Sequence, residues 1–327
     1  MAESSDPVLV QKLNEIFFPH FWEKRLALKE SDRKLVHYTS AENALRIITE
    51  KAIMLRSTVC MNDYSEVQHG HKLVQSCFFE NDKGLLKQFV EAFDEACSGA
   101  ANEAFTLYDQ HFTTNVYRTY VACIAEHHRE EDETGRLSMW RAYNQGSAGV
   151  AIILDKAPLF SNAAFVGFFA SPVAYLKDNE VRRYLEKVIQ SAKDQKEFLK
   201  GLPRETIVNS LFTLLLFSAI CIKHHGFEEE REWRVIYLPG LFPSEHMKQS
   251  SVTIAGVPQI VYKLPLVDLP DKSLLGIEIP KFVDSIIVGP TQFPYPIFEV
   301  LVDAMSKAGV AEPGKRIFTS NIPLRTR

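Results

Sequence analysis

The sequence has few of the features that mark secreted, membrane or zinc-binding proteins. Its five cysteines are scattered over 327 residues among apolar neighbours and form no CxxC pair, which predicts buried free thiols in a reducing compartment. The most apolar run, residues 211–222, is 12 residues long, whereas a membrane span needs about 20. It therefore predicts a buried core helix. No signal peptide is visible at the N-terminus, so we expect a cytoplasmic protein without membrane contact.

Several catalytic and metal-binding motifs are also missing. Neither GxxxxGK[ST] nor GxGxxG occurs, and the loop at residues 144–149 fits neither pattern, so a standard nucleotide-binding fold has no support. There is no HExxH and no GxSxG, and the histidine pairs at 127–128 and 224–225 have no matching second half. We therefore expect no bound metal and no hydrolase triad.

Charge and size point to an ordinary globular protein. The net charge is −4 and the isoelectric point is near 6.2, which argues against a general nucleic-acid binder because such proteins usually carry a basic excess. Hydrophobic residues make up 46% and charged residues 24% of the chain, as in typical soluble domains. A chain of this length buries enough surface to fold without a disulfide or a structural metal.

Helical and strand patterns alternate irregularly along the chain, which predicts an α+β fold with a mixed or antiparallel sheet core of short strands and large helical insertions. We expect an N-terminal helical arm at residues 1–30 and one α+β domain at 31–327, with insertions near 64–108 and 180–223. The detailed predictions are a single helix over 85–108, strands over 116–125, 149–154, 232–237 and 274–279, a helix over 137–143, and an exposed loop over 127–135.

An acidic stretch precedes one predicted strand. Four carboxylates crowd into residues 228–232, and such crowding rarely stabilises a fold by itself. If the strand already began at Glu230, the side chains of Glu230, Glu232 and Arg234 would point to one face, and that of Trp233 to the other. The stretch fits either a solvated turn before a half-buried strand or a functional site at the strand entrance.

A second candidate is the run His37-Tyr38-Thr39-Ser40, where the first strand meets a helix. Ser40 is a suitable N-cap, and the positive potential of a helix N-terminus favours a bound anion. His37 is therefore either a ligand-binding histidine or a core histidine bonded to backbone.

Two further segments carry polar residues. Asn62, Asp63 and Glu66 follow the second strand and fit a turn with a helix N-cap. In the segment 137–143, Ser138 and Tyr143 are polar enough to face a pocket, while the neighbouring Met139 and Trp140 suit packing.

The order and spacing of these motifs resemble a bacterial family known as domain of unknown function 2971, over residues 34–325. The motifs that carry the resemblance are His37-Tyr38-Thr39-Ser40, Asn62-Asp63-x-x-Glu66, Ser138-Met139-Trp140-x-x-Tyr143 before Gly149-Val150, Glu230-x-Glu232-Trp233-Arg234, and Ser320-Asn321-Ile322-Pro323-Leu324-Arg325.

A first strand ending in His-Tyr-Thr-Ser and a late Glu-x-Glu at a strand entrance also resemble ADP-ribosyltransferases. The resemblance implies an NAD-dependent or NAD-cleaving enzyme, as a toxin or phage-defence effector, with NAD as substrate and a protein, a nucleic acid or water as acceptor. By position it assigns the adenosine-side ribose to His37, the nicotinamide pocket to Ser138 or Tyr143, the nicotinamide ribose to Glu232, and the acceptor side to Glu230. The rest of the implied NAD-binding set is Tyr38, Thr39 and Arg234. These roles require His37 and Glu232 to face a common cleft.

Two alternatives remain open. In the first, the protein is a non-catalytic sensor or interaction protein, and Glu230, Glu232 and Arg234 form a structural ion-pair network with groups such as Arg56 or Arg325. A toxin–antitoxin or defence-system partner is open whichever function holds. In the second, it is a metal-dependent nuclease that binds Mg²⁺ through the oxygen ligands Asp63, Glu66, Glu230 and Glu232.

Overall fold

The structure is a computed structural model that describes residues 7–60, 64–80, 83–143, 148–160 and 167–323. The helices in chain order are α1 (Pro7–Phe17), α2 (Pro19–Glu30), α3 (Ala41–Glu50), α4 (Tyr64–Gln75), α5 (Lys83–Asp94), α6 (Ala100–Tyr117), α7 (Leu137–Tyr143), α8 (Asp178–Asp194), α9 (Lys196–Lys200), α10 (Arg204–Cys221), α11 (Ile279–Phe282) and α12 (Pro294–Lys307). The strands are β1 (Lys34–Ser40), β2 (Ala52–Ser57), β3 (Tyr120–His127), β4 (Gly149–Leu154), β5 (Phe168–Pro172), β6 (Ala174–Tyr175), β7 (Ile222–Lys223), β8 (Glu232–Tyr237), β9 (Lys248–Ile254), β10 (Val257–Pro265), β11 (Val283–Val288) and β12 (Ile317–Thr319). The predicted α+β class is confirmed.

The chain divides into two compact units, each assembled from three separate segments. Unit 1 consists of residues 1–27, 58–119 and 171–229. Unit 2 consists of residues 28–57, 120–170 and 230–327. The helices of the predicted arm and of both predicted insertions therefore fall largely in unit 1, and the large sheet forms the centre of unit 2.

Unit 1 is mainly helical and packs around α10. This helix contacts α4 and α6, and a Cβ on Gly70 of α4 would stand 2.5 Å from the carbonyl oxygen of Ala219 in α10. Glycine allows this close approach because it has no Cβ. Among the described residues, α10 is the one helix long and apolar enough to cross a membrane, and 61% of that 18-residue window is buried inside the protein.

The helix predicted over 85–108 is wrong, because the structure contains two helices there. Helix α5 ends at Asp94 and α6 begins at Ala100. Between them Gly99 has a φ of 76°, and its amide donates to the Asp94 carboxylate at 3.1 Å. A left-handed glycine held by a carboxylate ends one helix and starts the next, which the apolar spacing alone did not show.

The sheet of unit 2 has the main strand order β12-β11-β4-β1-β3-β2-β10-β9, with β8 paired to β3 and β5 paired to β8. The β11–β12 pair is parallel, while β1, β3, β4 and β8 form antiparallel pairs. The sheet is therefore mixed, as predicted. The strand predicted over 274–279 is wrong, because Gly276 has a φ of 80° and the segment makes only an isolated bridge to Leu269.

Strand β3 is the branch point of the sheet. Its residues Val121 and Ala125 pair with β8 on one edge, so β2 at Val121 and β1 at Ala125 must share the other edge. Among the described residues, residues 122–124 of β3 pair with neither β1 nor β2 on that edge. Strands β1 and β2 therefore diverge from each other along the middle of β3.

The two faces of the sheet carry separate cores. Residues directly opposite one another in a sheet point to the same face, and successive residues alternate. The register pairs Val36 with Ala125 and Ala125 with Glu232, and these residues define what we call the Glu232 face. The opposite face, which we call the His37 face, carries the larger core around Trp233.

A tryptophan of α7 covers the Glu232 face. Trp140 is fully buried and packs with Val36, Tyr38 and the neighbouring β4 side chains. Its indole lies between two glycines: a Cβ on Gly135 would stand 2.4 Å from the ring, and a Cβ on Gly289 would stand 2.8 Å from it. Only glycine fits at these positions without moving the indole.

We expect Gly289→Ala to destabilise the protein by about 1–3 kcal/mol, because the added methyl group overpacks the slot occupied by Trp140. Gly240→Ala is the matched control, because a Cβ there meets nothing within 4 Å. Urea unfolding of both variants measures the difference in the free energy of unfolding. Equal stability of the two variants would show that the slot is not tightly packed.

Candidate functional site

The sheet register separates two of the predicted catalytic residues. Tyr38 lies two residues beyond Val36 in β1, so it shares the Glu232 face. His37 pairs with Ile152, whose side chain lies in the core of the opposite face. His37 and Glu232 therefore do not converge on one face, contrary to the expectation of a common cleft.

His37 binds the neighbouring strand where the sheet divides. Its Nδ1 lies 2.8 Å from the carbonyl oxygen of Cys123, and a carbonyl only accepts, so Nδ1 carries the proton and donates. Burial lowers the pKa of His37, and the bond to Cys123 opposes this only in part. The imidazole is neutral near pH 7 and supplies a donor to β3 beside the diverging strand β1. This is the backbone-bonded histidine that the sequence left as the alternative.

The lowered pKa gives His37 a pH-dependent effect on stability. Because the folded pKa lies below the unfolded value, the unfolded state takes up protons first, and stability falls as the pH drops below about 6.5. We expect His37→Asn to remove this contribution while its amide still donates to Cys123, and His37→Ala to lose the bond as well. Melting curves between pH 5 and 8 test this. A His37→Asn profile identical to that of the wild type would contradict it.

Glu232 and Arg234 form a buried ion pair on the Glu232 face. Arg234 Nε donates to Glu232 Oε1 at 2.8 Å, and the side chains are 1% and 5% exposed respectively. Trp233 pairs with Ile124 on the opposite face, as the predicted alternation requires. Glu230 does not belong to the strand, because a 3₁₀ helix ends there and Arg231 has a φ of 47°.

Aromatic rings from β1 and α7 lie together on the same face. The centroid of the Tyr38 ring lies 5.0 Å from that of Trp140 in an edge-to-face contact, and 6.5 Å from that of Tyr143, with the two ring planes inclined by 27°. Tyr143 is 38% exposed. Burial raises the pKa of Tyr38 to about 12, so its hydroxyl stays protonated. The Ser138 hydroxyl is buried and has no hydrogen-bond partner within the described chain.

Thr39 is 6% exposed and pairs with Val150 of β4. Val150 belongs to the core of the His37 face, so Thr39 lies on that face with His37. Of the residues assigned to NAD by the resemblance, the structure thus places Tyr38, Glu232 and Arg234 on one face and His37 and Thr39 on the other.

The segment predicted as an exposed loop over 127–135 is exposed only in part, because Glu131 in it is buried against Arg136, the residue that follows the segment. The guanidinium of Arg136 is 5% exposed and binds the carboxylate of Glu131 through Nε at 2.9 Å and Nη2 at 3.2 Å. It also donates from Nη1 to the carbonyl of Glu230 at 2.8 Å and from Nη2 to the carbonyl of Glu126 at 2.6 Å. A loop rich in charge resembles a solvated one in sequence, and only the fold supplies these partners.

Glu131 and Glu126 extend this cluster. Arg231 donates to Glu131 at 2.8 Å. Burial alone would raise the pKa of Glu131, but the hydrogen bond and charge of Arg136, the amide of His128 and the charge of Arg231 outweigh it and hold the pKa below its usual value. Glu126 accepts from the Trp233 indole at 3.1 Å. We call Glu126, Glu131, Arg136 and Arg231 the β8-entrance cluster.

The remaining predicted groups are described only in part. Asn62, Asp63 and Arg325 lie outside the described residues, as does the side chain of Glu66. Among the described residues, no group of three or more histidine, cysteine, aspartate or glutamate side chains is arranged to hold a metal ion. Arg56 donates to Gln259 at 3.1 Å.

All five cysteines are free; Cys77 and Cys221 are buried, and Cys60, Cys97 and Cys123 are half-buried. The prediction of free thiols is confirmed, although three of the five are less buried than expected. Cys123 lies directly opposite Arg234 in the sheet, so its side chain belongs to the Glu232 face.

Comparison with protein families gives a match to the family described as "Protein of unknown function (DUF2971)" over residues 139–235. The match covers less than a third of the chain and includes the end of α7, strand β4 and the Glu232–Arg234 pair. It supports the family resemblance drawn from the motifs. No curated protein and no solved structure matches the chain.

Proposed function

We propose that the protein cleaves NAD and transfers its ADP-ribosyl group, with the reaction on the Glu232 face. The observation that carries this proposal is the adjacency of β1, β3 and β8 in the sheet. It places Val36, Ala125 and Glu232 side by side on one face, and Tyr38 lies two residues beyond Val36 on the same face. From the resemblance to ADP-ribosyltransferases, we expect the functional residues on a first strand, on a middle element and on a late strand that carries a glutamate.

Cleavage of the nicotinamide–ribose bond is favoured by a carboxylate held in a fixed position. The bond between the nicotinamide nitrogen and ribose C1′ breaks, and its electron pair leaves with nicotinamide. Positive charge develops on the ribose until an acceptor oxygen or nitrogen attacks C1′ and loses its proton. A carboxylate such as that of Glu232 stabilises this charge more in the transition state than in the ground state. Arg234 fixes the direction of the Glu232 carboxylate from within the same strand.

Two groups of α7 support a nicotinamide position. A buried hydroxyl without a partner is suited to bind a water or a ligand, and among the described residues the Ser138 hydroxyl is buried without a partner. Tyr143 has a partly exposed ring that stacks on Tyr38 with the planes inclined by 27°. Since His37 and Thr39 lie on the opposite face, we assign them no contact with NAD. His37 instead holds β1 against β3.

We expect Glu232→Gln to lower the rate of nicotinamide release from NAD by about 10²–10³, the usual loss when one preorganised electrostatic group is removed. Glu228→Gln is the matched control, because Glu228 is an exposed residue of the same acidic stretch. Label transfer from adenylate-labelled NAD to protein, nucleic acid or neither reports the acceptor. A folded Glu232→Gln variant that keeps the wild-type rate would refute the role.

A second candidate is a non-catalytic interaction protein on the same scaffold. The burial of the Glu232–Arg234 ion pair favours this candidate, since both side chains are almost fully buried. Under this proposal wild-type protein releases no nicotinamide from NAD, and Glu232→Gln acts on stability. Leaving one partner of a buried ion pair uncompensated costs roughly 3–5 kcal/mol. Melting and nicotinamide release, measured on the same samples, separate the two candidates.

A further inference from the structure

We infer that Arg136 is a positioning residue that sets the entrance of β8, and through it the direction of the Glu232 carboxylate. What Glu232 then does rests on the proposed function, but the positioning itself follows from the contacts of Arg136. Neither the motifs in the sequence nor the family match assigns this residue a role.

Arg136 fixes the backbone just before Glu232. Its Nη1 donates to the carbonyl of Glu230, two residues before Glu232, and its Nη2 donates to the carbonyl of Glu126 at the end of β3. The amide of Glu126 in turn donates to the carbonyl of Arg231 at 2.9 Å. Arg231 has a left-handed φ of 47°, which a non-glycine residue keeps only when its surroundings hold it. The turn into β8 is thus held from both sides.

The same residue also holds an aromatic ring on the Glu232 face. The backbone amide of Arg136 donates to the Tyr38 hydroxyl at 2.8 Å, and Tyr38 lies on the Glu232 face. One residue therefore connects β1, the end of β3 and the entrance of β8. A change in its side chain moves the Glu230 peptide, while its backbone contact to Tyr38 remains.

The contacts of the Arg136 side chain require a planar guanidinium with several donors. Nε and Nη2 both bind the carboxylate of Glu131, while Nη1 and Nη2 reach two carbonyls on different segments. A lysine ammonium is a point charge with three donors and does not reproduce this spread. Arg136→Lys therefore keeps the charge against Glu131 and loses the hydrogen bond to Glu230.

We would test this with Arg136→Lys against the control Arg129→Lys, whose side chain is 77% exposed and pairs with Asp32 at 2.9 Å. The first measurement is hydrogen exchange of the Glu126 amide, with the Gly289 amide, bonded to the carbonyl of Gly149, as internal reference. We expect exchange at Glu126 to rise about tenfold or more in Arg136→Lys alone, since a hydrogen bond to a charged group contributes about 1.5–3 kcal/mol. Unchanged exchange would overturn the inference.

The second measurement is the kinetics of nicotinamide release. A misplaced Glu232 carboxylate lowers kcat with little change in KM. A general loss of stability, in contrast, changes neither the kcat nor the KM of the molecules that remain folded. A lowered kcat together with faster Glu126 exchange supports the inference, and an unchanged kcat refutes the link to Glu232. If wild-type protein releases no nicotinamide, the proposed function fails and the exchange result alone decides the positioning. If Arg136→Lys does not fold, Glu131→Gln takes its place, because it weakens the hydrogen bonds that hold the same guanidinium.

Discussion

The hydrogen bonds of the buried Arg136 guanidinium are the constraint on which the entrance of β8 depends. A buried charge is tolerated only when a counter-charge and hydrogen bonds replace its lost water. Glu131 supplies the counter-charge, and two backbone carbonyls from the end of β3 and the entrance of β8 take further donors. Since every partner has to be in place, the guanidinium ties the loop after β3 to the start of β8.

The sheet of unit 2 branches at β3. Strand β3 pairs with β8 along one edge and with β1 and β2 at the two ends of the other. The imidazole of His37 bonds to β3 between those ends, and Trp140 fills the Glu232 face beside it between two glycines. The Glu232 face carries the buried Glu232–Arg234 ion pair, and the rings of Tyr38 and Tyr143 lie together. We therefore place the proposed NAD chemistry on this face.

Local patterns in the sequence predicted much of this architecture. Strand β4, helix α7 and strand β8 have the predicted bounds, and Ser40 caps α3 by accepting from the Asn43 amide at 3.2 Å. These features depend on neighbouring residues, so spacing and composition reveal them. The alternation of Glu232 and Trp233 between faces was predictable for the same reason.

The errors about the buried charges and about the two faces of the sheet have a different cause. The Arg136 side chain bonds to Glu230, 94 positions along the chain, and Arg231 bonds to Glu131 across 100 positions. A single sequence holds no signal for such pairings, so the charge of residues 127–135 predicts a solvated loop and does not reveal that Glu131 is buried. The faces of His37 and Glu232 likewise depend on how β1 and β8 each align with β3, and a shift of one residue reverses a face.

The most direct test of the account is the protection of Cys123 from a thiol reagent by NAD. Cys123 is half-buried on the Glu232 face opposite Arg234, and the half-buried Cys60 and Cys97 are internal references in the same digest. We predict that NAD slows the labelling of Cys123 and leaves Cys60 and Cys97 unchanged, as resolved by mass spectrometry. Labelling of Cys123 at the same rate under saturating NAD would contradict a site on this face.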